Sequence, residues 1–206
     1  MKTAQDYDIS YTLTNTSRLN PTDESKHITF TNGSILVYDE NKDKDIKIGN
    51  FDATFVKMSH LCDSSEHPLD VIDQTQNIFD VADAVLDADN DYDFKESVSE
   101  LFDNNLVSGD FVIIESVELD PEWRGSNIGL AVIRDFIKNH IDIGTLVVVE
   151  PAPLTKDVKN ETHAQVNKRV AKLNKHWKKL KFLPIGKTGF YGFSTSHILP
   201  EIEIGD

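Results

Sequence analysis

The stretch from Phe111 to Leu130, FVIIESVELDPEWRGSNIGL, constrains the chain more than any other, because it reads as a strand, a turn and a helix in immediate succession. The β-branched and aromatic residues from Phe111 to Val117 suit a pleated strand, and Pro121 stops it because proline has no N–H for the ladder. Gly125 permits a tight turn, Asn127 is placed to cap, and Ile128, Ala131, Val132, Asp135 and Phe136 continue at helical spacing. The first-turn amides of such a helix lack intrahelical partners and lie at the positive end of the aligned peptide dipoles, which suits them to an anion. Arg124 brings a guanidinium to the same junction. Two readings stand side by side: a junction that holds phosphate, and an ordinary strand, loop and helix with an exposed arginine.

The rest of the chain permits either. With 206 residues, 39% of them hydrophobic, it can bury a sizeable core, and a single α/β domain over residues 1–206 is the economical reading. No run approaches the roughly 18 apolar residues of a membrane span. The opening MKTAQDYDIS lacks the apolar core of a secretory signal, so no membrane association and a cytoplasmic location are expected. The lone Cys62 excludes an internal disulfide and is expected to be a small hydrophobe or an incidental thiol. His60 and His67 flank it at a spacing that matches no compact metal motif. Asp87, Asp89, Asp91 and Asp93 lack the glycine at the bend and the terminal glutamate of a calcium loop, so no metal is expected.

Charge is unevenly placed. Residues 1–110 hold 23 acidic and 8 basic residues, net −15, and residues 111–206 hold 12 and 13, net +1, which together give the formal −14. General binding to duplex DNA is therefore not expected. The acidic half suits a cationic amine, or simply keeps the protein in solution.

Periodicity organises the remainder. Strands are expected over Tyr7–Thr14, His27–Asp39, Ile46–Met58, Thr145–Val149 and Phe190–Phe193, the second and third joined through the charged turn Glu40–Asp45. Helices are expected over Pro68–Leu86 and Phe94–Phe102, with a solvated break at Asp87–Asp93, and again over His163–Leu180. In that last helix Val166, Val170, Leu173, Trp177 and Leu180 form the apolar stripe, and Lys168, Arg169, Lys172, Lys175, Lys178, Lys179 and Lys181 supply cations with no acidic residue between His163 and Lys181. Residues 60–105 thus form a helical segment.

Arg124, Gly125, Ser126, Asn127, Ile128 and Gly129 fill the frame of Arg or Gln, two residues, Gly, one residue, then Gly or Ala, and at this point the chain resembles the GNAT acetyltransferase superfamily. Asn127 stands where the first signature glycine belongs. Leu119, Asp120 and Pro121 resemble the Val-x-Pro segment that precedes the signature in the family. The resemblance covers about Phe111 to Phe193. It implies an α/β fold with a mixed, largely antiparallel central sheet flanked by helices, and a V-shaped splay between the strands that begin near Phe111 and Thr145. Relative to the family's order, the helical pair follows the early strands, as an insertion or a displaced element.

The resemblance further implies acetyl-CoA as cosubstrate. The amides near Ser126 to Leu130 would hold its pyrophosphate, together with Arg124, Gly125, Asn127, Ile128 and Gly129, and the backbone from Val117 to Leu119 would pair with the pantetheine arm. An asparagine side chain at 127 would crowd the pyrophosphate or shift the turn. The implied activity is transfer of an acetyl group to an amine by direct attack, the acceptor being a small molecule or a protein amine, with a homodimer allowed. The alternative is a GNAT-like module that binds CoA without efficient turnover and acts in regulation or interaction, and a third reading is an α/β interaction domain with no cofactor.

Two features bear on that chemistry. Family members often carry a tyrosine four residues before a Gly-Phe pair as the acid for the departing thiolate; the matching positions here hold Trp177, Lys181 and Phe182, and indole cannot give that proton. His176, Tyr191 or water is then expected to do so. Glu115 sits inside an otherwise apolar strand, on the face shared by Ile113, Val117 and Leu119 if alternation is regular. It is a catalytic base, a reader of a substrate cation, or one half of a strand-edge salt bridge. Glu118 has the opposite parity, so the two carboxylates share a face only if a bulge intervenes.

Overall fold

A computed structural model describes residues 8–17, 24–61, 66–107, 109–153 and 161–205. Three long strands come first: β1 (Ile9–Ser17), β2 (Ile28–Asp39) and β3 (Lys44–Val56). They pair antiparallel in a meander, with β2 and β3 joined by the short charged turn at residues 40–43, where Asp43 takes a left-handed conformation. Three short helices follow, α1 (Pro68–Ile72), α2 (Gln76–Val85) and α3 (Glu96–Leu101), with the two-residue strands β4 (Leu86–Asp87) and β5 (Asp93–Phe94) between the last two. The chain then runs through β6 (Phe111–Leu119), α4 (Ile128–His140), β7 (Leu146–Val149), α5 (His163–Lys178), β8 (Leu183–Pro184) and β9 (Tyr191–Ser194).

Seven of these strands make one mixed sheet in the order β1-β2-β3-β6-β7-β9-β8, while β4 and β5 form a separate hairpin. Within the large sheet, only β6 and β7 are parallel, as the α4 crossover between them requires. Helices cover both faces. Val71, Ile78, Val81, Val85 and Val98 of α1–α3 pack with Val56, Phe111, Ile113 and Val148 on one side. Ile128, Ile133, Phe136 and Ile137 of α4 and Trp177 of α5 pack with Phe51, Val112, Ile114 and Val147 on the other. The four consecutive buried residues of β7, LVVV, are what a strand covered on both faces requires.

The helix expected over Pro68–Leu86 is two helices. Thr75 caps α2 by accepting from the Ile78 amide at 3.2 Å, and Leu86 leaves the helix to enter β4. The expected break at Asp87–Asp93 is the turn of the β4–β5 hairpin, where Asp91 and Tyr92 have positive φ. The 60–105 helical segment therefore lies between β3 and β6 in sequence and covers one sheet face. His67 caps α1, and His60 stands edge-on to His27, which contacts Glu66. Cys62 lies outside the described residues. Among the described residues no group of three or more His, Cys, Asp or Glu is placed to hold a metal ion, and no helix is long and apolar enough to cross a membrane.

Candidate functional site

The site begins where β6 outlasts β7. Their parallel pairing runs from Phe111 opposite Leu146 to Ile114 opposite Val149 and goes no further. After Val149 the chain passes into Glu150 and Pro151, and proline has no amide to extend the ladder. On its other edge β6 keeps β3 to the end, but with a register break: Ala53 pairs with Ile114 and Asp52 with Ser116, leaving Glu115 as the extra residue of a β-bulge.

The bulge corrects the regular alternation expected from sequence. Ile113 packs with α1–α3, whereas Val117 and Leu119 pack on the α4 side, so Glu115 does not share their face. Its carboxylate points toward the α1–α3 side, where Thr54 Oγ donates to Oε1 at 2.9 Å and the Asn77 amide of α2 donates to Oε2. Ser116, opposite Asp52, donates to that carboxylate at 2.8 Å, and alternation from Ser116 then puts Glu118 on the same face as Glu115. The local extra residue puts on one face two carboxylates that a regular strand would place on opposite faces.

The gap between the splayed ends opens into a cleft of about 370 Å³. One wall is β6 from Ile114 to Leu119; another is the start of α4 with its preceding turn, Gly125 and Asn127–Leu130. Residues Arg169, Lys172, Leu173, His176 and Trp177 of α5 close it, and Val149, Glu150 and Pro153 border its far end. A second cavity of about 200 Å³, lined in part by Asn77 and Ile113, shares Ile114, Glu115, Glu150, Ala152 and Pro153 with the cleft. Glu115 and Glu150 thus stand where the two spaces meet.

The α4 end of the cleft is built for close approach. Gly125 has φ +94°, a conformation that a Cβ disfavours. A Cβ on Gly129 would lie 3.2 Å from Val117 Cγ1, so glycine there lets the helix start close against β6. Asn127 occupies the N-cap position in a left-handed conformation, φ 59° and ψ 7°, yet makes no capping bond to the helix. Its side chain turns away: Nδ2 donates to the Glu203 carbonyl at 3.1 Å, and Oδ1 accepts from Lys179 Nζ at 2.9 Å. No capping oxygen of Asn127 therefore occupies the first-turn amides. Arg124 is held beside them by a 2.8 Å bond from Nε to the Leu119 carbonyl at the end of β6.

Charge divides the cleft. Arg124, Arg169 and Lys172 lie along its α4–α5 side, and Glu115, Glu118 and Glu150 along the sheet and its far end. Partial desolvation pushes the Glu115 carboxyl above its ordinary range although the residue keeps an exposed side, against the lowering effect of the bonds from Thr54 and Asn77, with nearby Asp52 adding to the rise. Burial likewise lowers the pKa of His176, helped by the Lys179 charge, and so favours its neutral imidazole.

The cleft brings together Glu115, Val117, Leu119, Arg124, Gly125, Asn127, Ile128, Gly129, Leu130 and His176 from among the residues singled out in the sequence. It leaves two of them outside its lining. Ser126 donates from Oγ to the Trp123 carbonyl at 3.2 Å, and Tyr191 lies on β9, paired with Val149 and Pro184. Trp177, only 7% exposed, is both core and cleft wall, with its ring edge-on to Phe182 at 5.3 Å. Sequence reasoning missed Asn77, Thr54 and Glu150. Only Glu150 carried a local signal, a charge at the end of a buried strand and before a proline.

Comparison of the chain with protein-family models, with curated proteins and with solved structures gave no match.

Proposed function

We propose that the protein is an acetyltransferase of the GNAT type, which moves an acetyl group from acetyl-CoA to an amine by direct attack. The observation that carries this reading is the parting of β6 from β7 at the Glu115 bulge, beside the uncapped start of α4. The sheet order, with one parallel pair flanked by antiparallel neighbours, supports it as the arrangement that the signature around Arg124–Gly129 implies.

The cleft fits such a cosubstrate on its own terms. The first-turn amides of α4 are suited to a pyrophosphate, with Arg124 and Lys172 supplying positive charge nearby. The edge of β6 from Glu115 to Leu119, no longer paired with β7, offers backbone groups to an extended amide-bearing arm. When bound, acetyl-CoA supplies an activated acyl thioester. Glu115, at the meeting of the cleft and the second cavity, takes the proton from an incoming ammonium or amine, and its raised pKa brings it nearer to that task at neutral pH. Holding both reactants in one connected space then supplies much of the acceleration.

A second reading is favoured by one observation. Trp177 lines the cleft in place of the family's tyrosine, His176 is held toward its neutral form, and Tyr191 is not part of the lining. A cleft so furnished is poor in proton donors for a thiolate, which suits a CoA-binding module with slow turnover or with water as the acid. Release of free thiol from acetyl-CoA distinguishes the two readings. Acceleration by a panel of primary amines above spontaneous hydrolysis supports the enzyme; binding of acetyl-CoA without amine-dependent release supports the module and overturns the enzyme.

A further inference from the structure

The C-terminal residues 198–205 form no helix or strand, yet they are tied to the molecule at several points. Leu199, Ile202 and Ile204 pack against the core cluster of α4. Arg134, on α4, donates from Nε to the Pro200 carbonyl at 2.7 Å and pairs with Glu201. At the far end the Gly205 amide donates to the Ser126 carbonyl at 2.9 Å, and the Glu203 carbonyl accepts from Asn127. The last two contacts fall on the turn that precedes α4.

Asn127 is the centre of this arrangement. It is 8% exposed, in a left-handed conformation that asparagine tolerates better than most residues but less well than glycine. One end of its amide is held by the C-terminal strap and the other by Lys179, just beyond α5. Both bonds draw the side chain away from the helix start. Without them, the turn can relax from this left-handed conformation to the extended one from which an N-cap asparagine ordinarily bonds the first-turn amides.

We infer that the strap and Lys179 together do the work of the glycine that this turn lacks: they hold Asn127 out of the anion cradle and fix the turn around residues 125–129. The affinity of the cleft for a pyrophosphate-bearing ligand then depends on the docking of the chain's own C-terminal strap. The inference rests on the acetyl-CoA reading for its ligand, but the holding of the turn is a property of the ligand-free protein. Asn127 acts here as a positioning residue, through its conformation.

A double-mutant cycle on the 206-residue chain tests it. Ile204→Asp undocks the strap, Lys179→Met removes the second tether, and each is made with Asn127 and with Asn127→Gly. In the Asn127 background, each change is expected to weaken acetyl-CoA binding in calorimetry about tenfold, the scale of one or two lost hydrogen bonds. In the glycine background, which has no side chain to restrain, the same changes should have less than half that effect on the logarithmic scale. Equal losses in both backgrounds mean that the strap or Lys179 acts only through general structure or direct phosphate contact, and overturn the inference. Amide hydrogen exchange without ligand provides the independent readout: Ile204→Asp should accelerate exchange across residues 125–130 while leaving β7 protected. Unchanged exchange there overturns the inference, and so does loss of protection throughout the sheet, since the strap would then be a support for the whole fold. If wild-type protein binds no acetyl-CoA, the cosubstrate reading fails, and the exchange experiment still decides whether the strap holds the turn.

Discussion

Replacing Gly129 by valine should separate the shape of the cleft from the stability of the fold. A Cβ at this position would lie 3.2 Å from Val117 Cγ1 and 3.9 Å from Leu119 Cδ1. Alanine asks β6 to give by a few tenths of an ångström, and it gains up to about 1 kcal/mol of helix propensity over glycine, less at a helix start. The two terms oppose each other, so Gly129→Ala should change stability by less than about 1 kcal/mol. Valine adds two methyl groups on the side facing Val117 and Leu119, where the wall has no room, and overpacking of this kind costs about 1–3 kcal/mol. The added volume also narrows the cleft between β6 and α4, so acetyl-CoA affinity should fall by at least about tenfold, equivalent to about 1.4 kcal/mol. Urea denaturation measures the first quantity and calorimetry on the folded fraction the second. A folded Gly129→Val protein that binds acetyl-CoA with wild-type affinity would refute the assignment of this wall to the cosubstrate.

Glu115→Gln tests the proton path and carries a sign. Because the folded protein holds this carboxyl above its ordinary value of 4.5, the folded state binds more protons than the unfolded one between that value and the raised one. Its contribution to stability is full below pH 4.5 and is lost as pH rises through the folded pKa. Glutamine can still accept from Asn77 and donate to Thr54, so the variant should be slightly more stable than wild type at pH 7, by less than about 1 kcal/mol given the exposure of the site, and the gap should shrink toward pH 4.5 in urea titrations. Its turnover should fall by about 10²–10⁴, most at low pH where the amine is protonated, with acetyl-CoA affinity unchanged. Two strands away from the cleft wall, Gly33→Ala would set a methyl 2.1 Å from the fully buried ring of Phe51, across the β2–β3 pairing. It should cost about 1–3 kcal/mol in a thermal melt and leave ligand affinity alone.

What the sequence made legible was local. The β6–turn–α4 unit announces itself through a β-branched run, Pro121, Gly125 and a helical repeat, all between Phe111 and Phe136 and none dependent on a distant partner. The Glu115 bulge was not legible, because it is a mismatch between two strands: only the register of β3 against β6 shows that Asp52 meets Ser116 and leaves Glu115 over. That single residue reverses the faces of Val117 and Leu119 relative to Glu115 and puts Glu118 on its face. Strands of two residues, such as β4, β5 and β8, are too short to carry a period, so they too escape a pattern search. The break between α1 and α2 had a local signal in Thr75, but the apolar residues on both sides continue at compatible spacing and mask it. The role of Asn127 was hidden for a different reason. Its partners, Lys179 and Glu203, lie 52 and 76 residues away.

We propose that acetyl-CoA occupies the cleft between β6 and the start of α4. Backbone amide resonances followed during a titration with acetyl-CoA test it residue by residue. Saturable shifts are expected to be largest at Gly125 and Asn127–Leu130, to extend along Val117–Leu119 of β6, and to spare β1 and β2 at the opposite edge of the sheet. Absence of shifts at millimolar acetyl-CoA, or saturable shifts that leave the start of α4 unmoved, would contradict it.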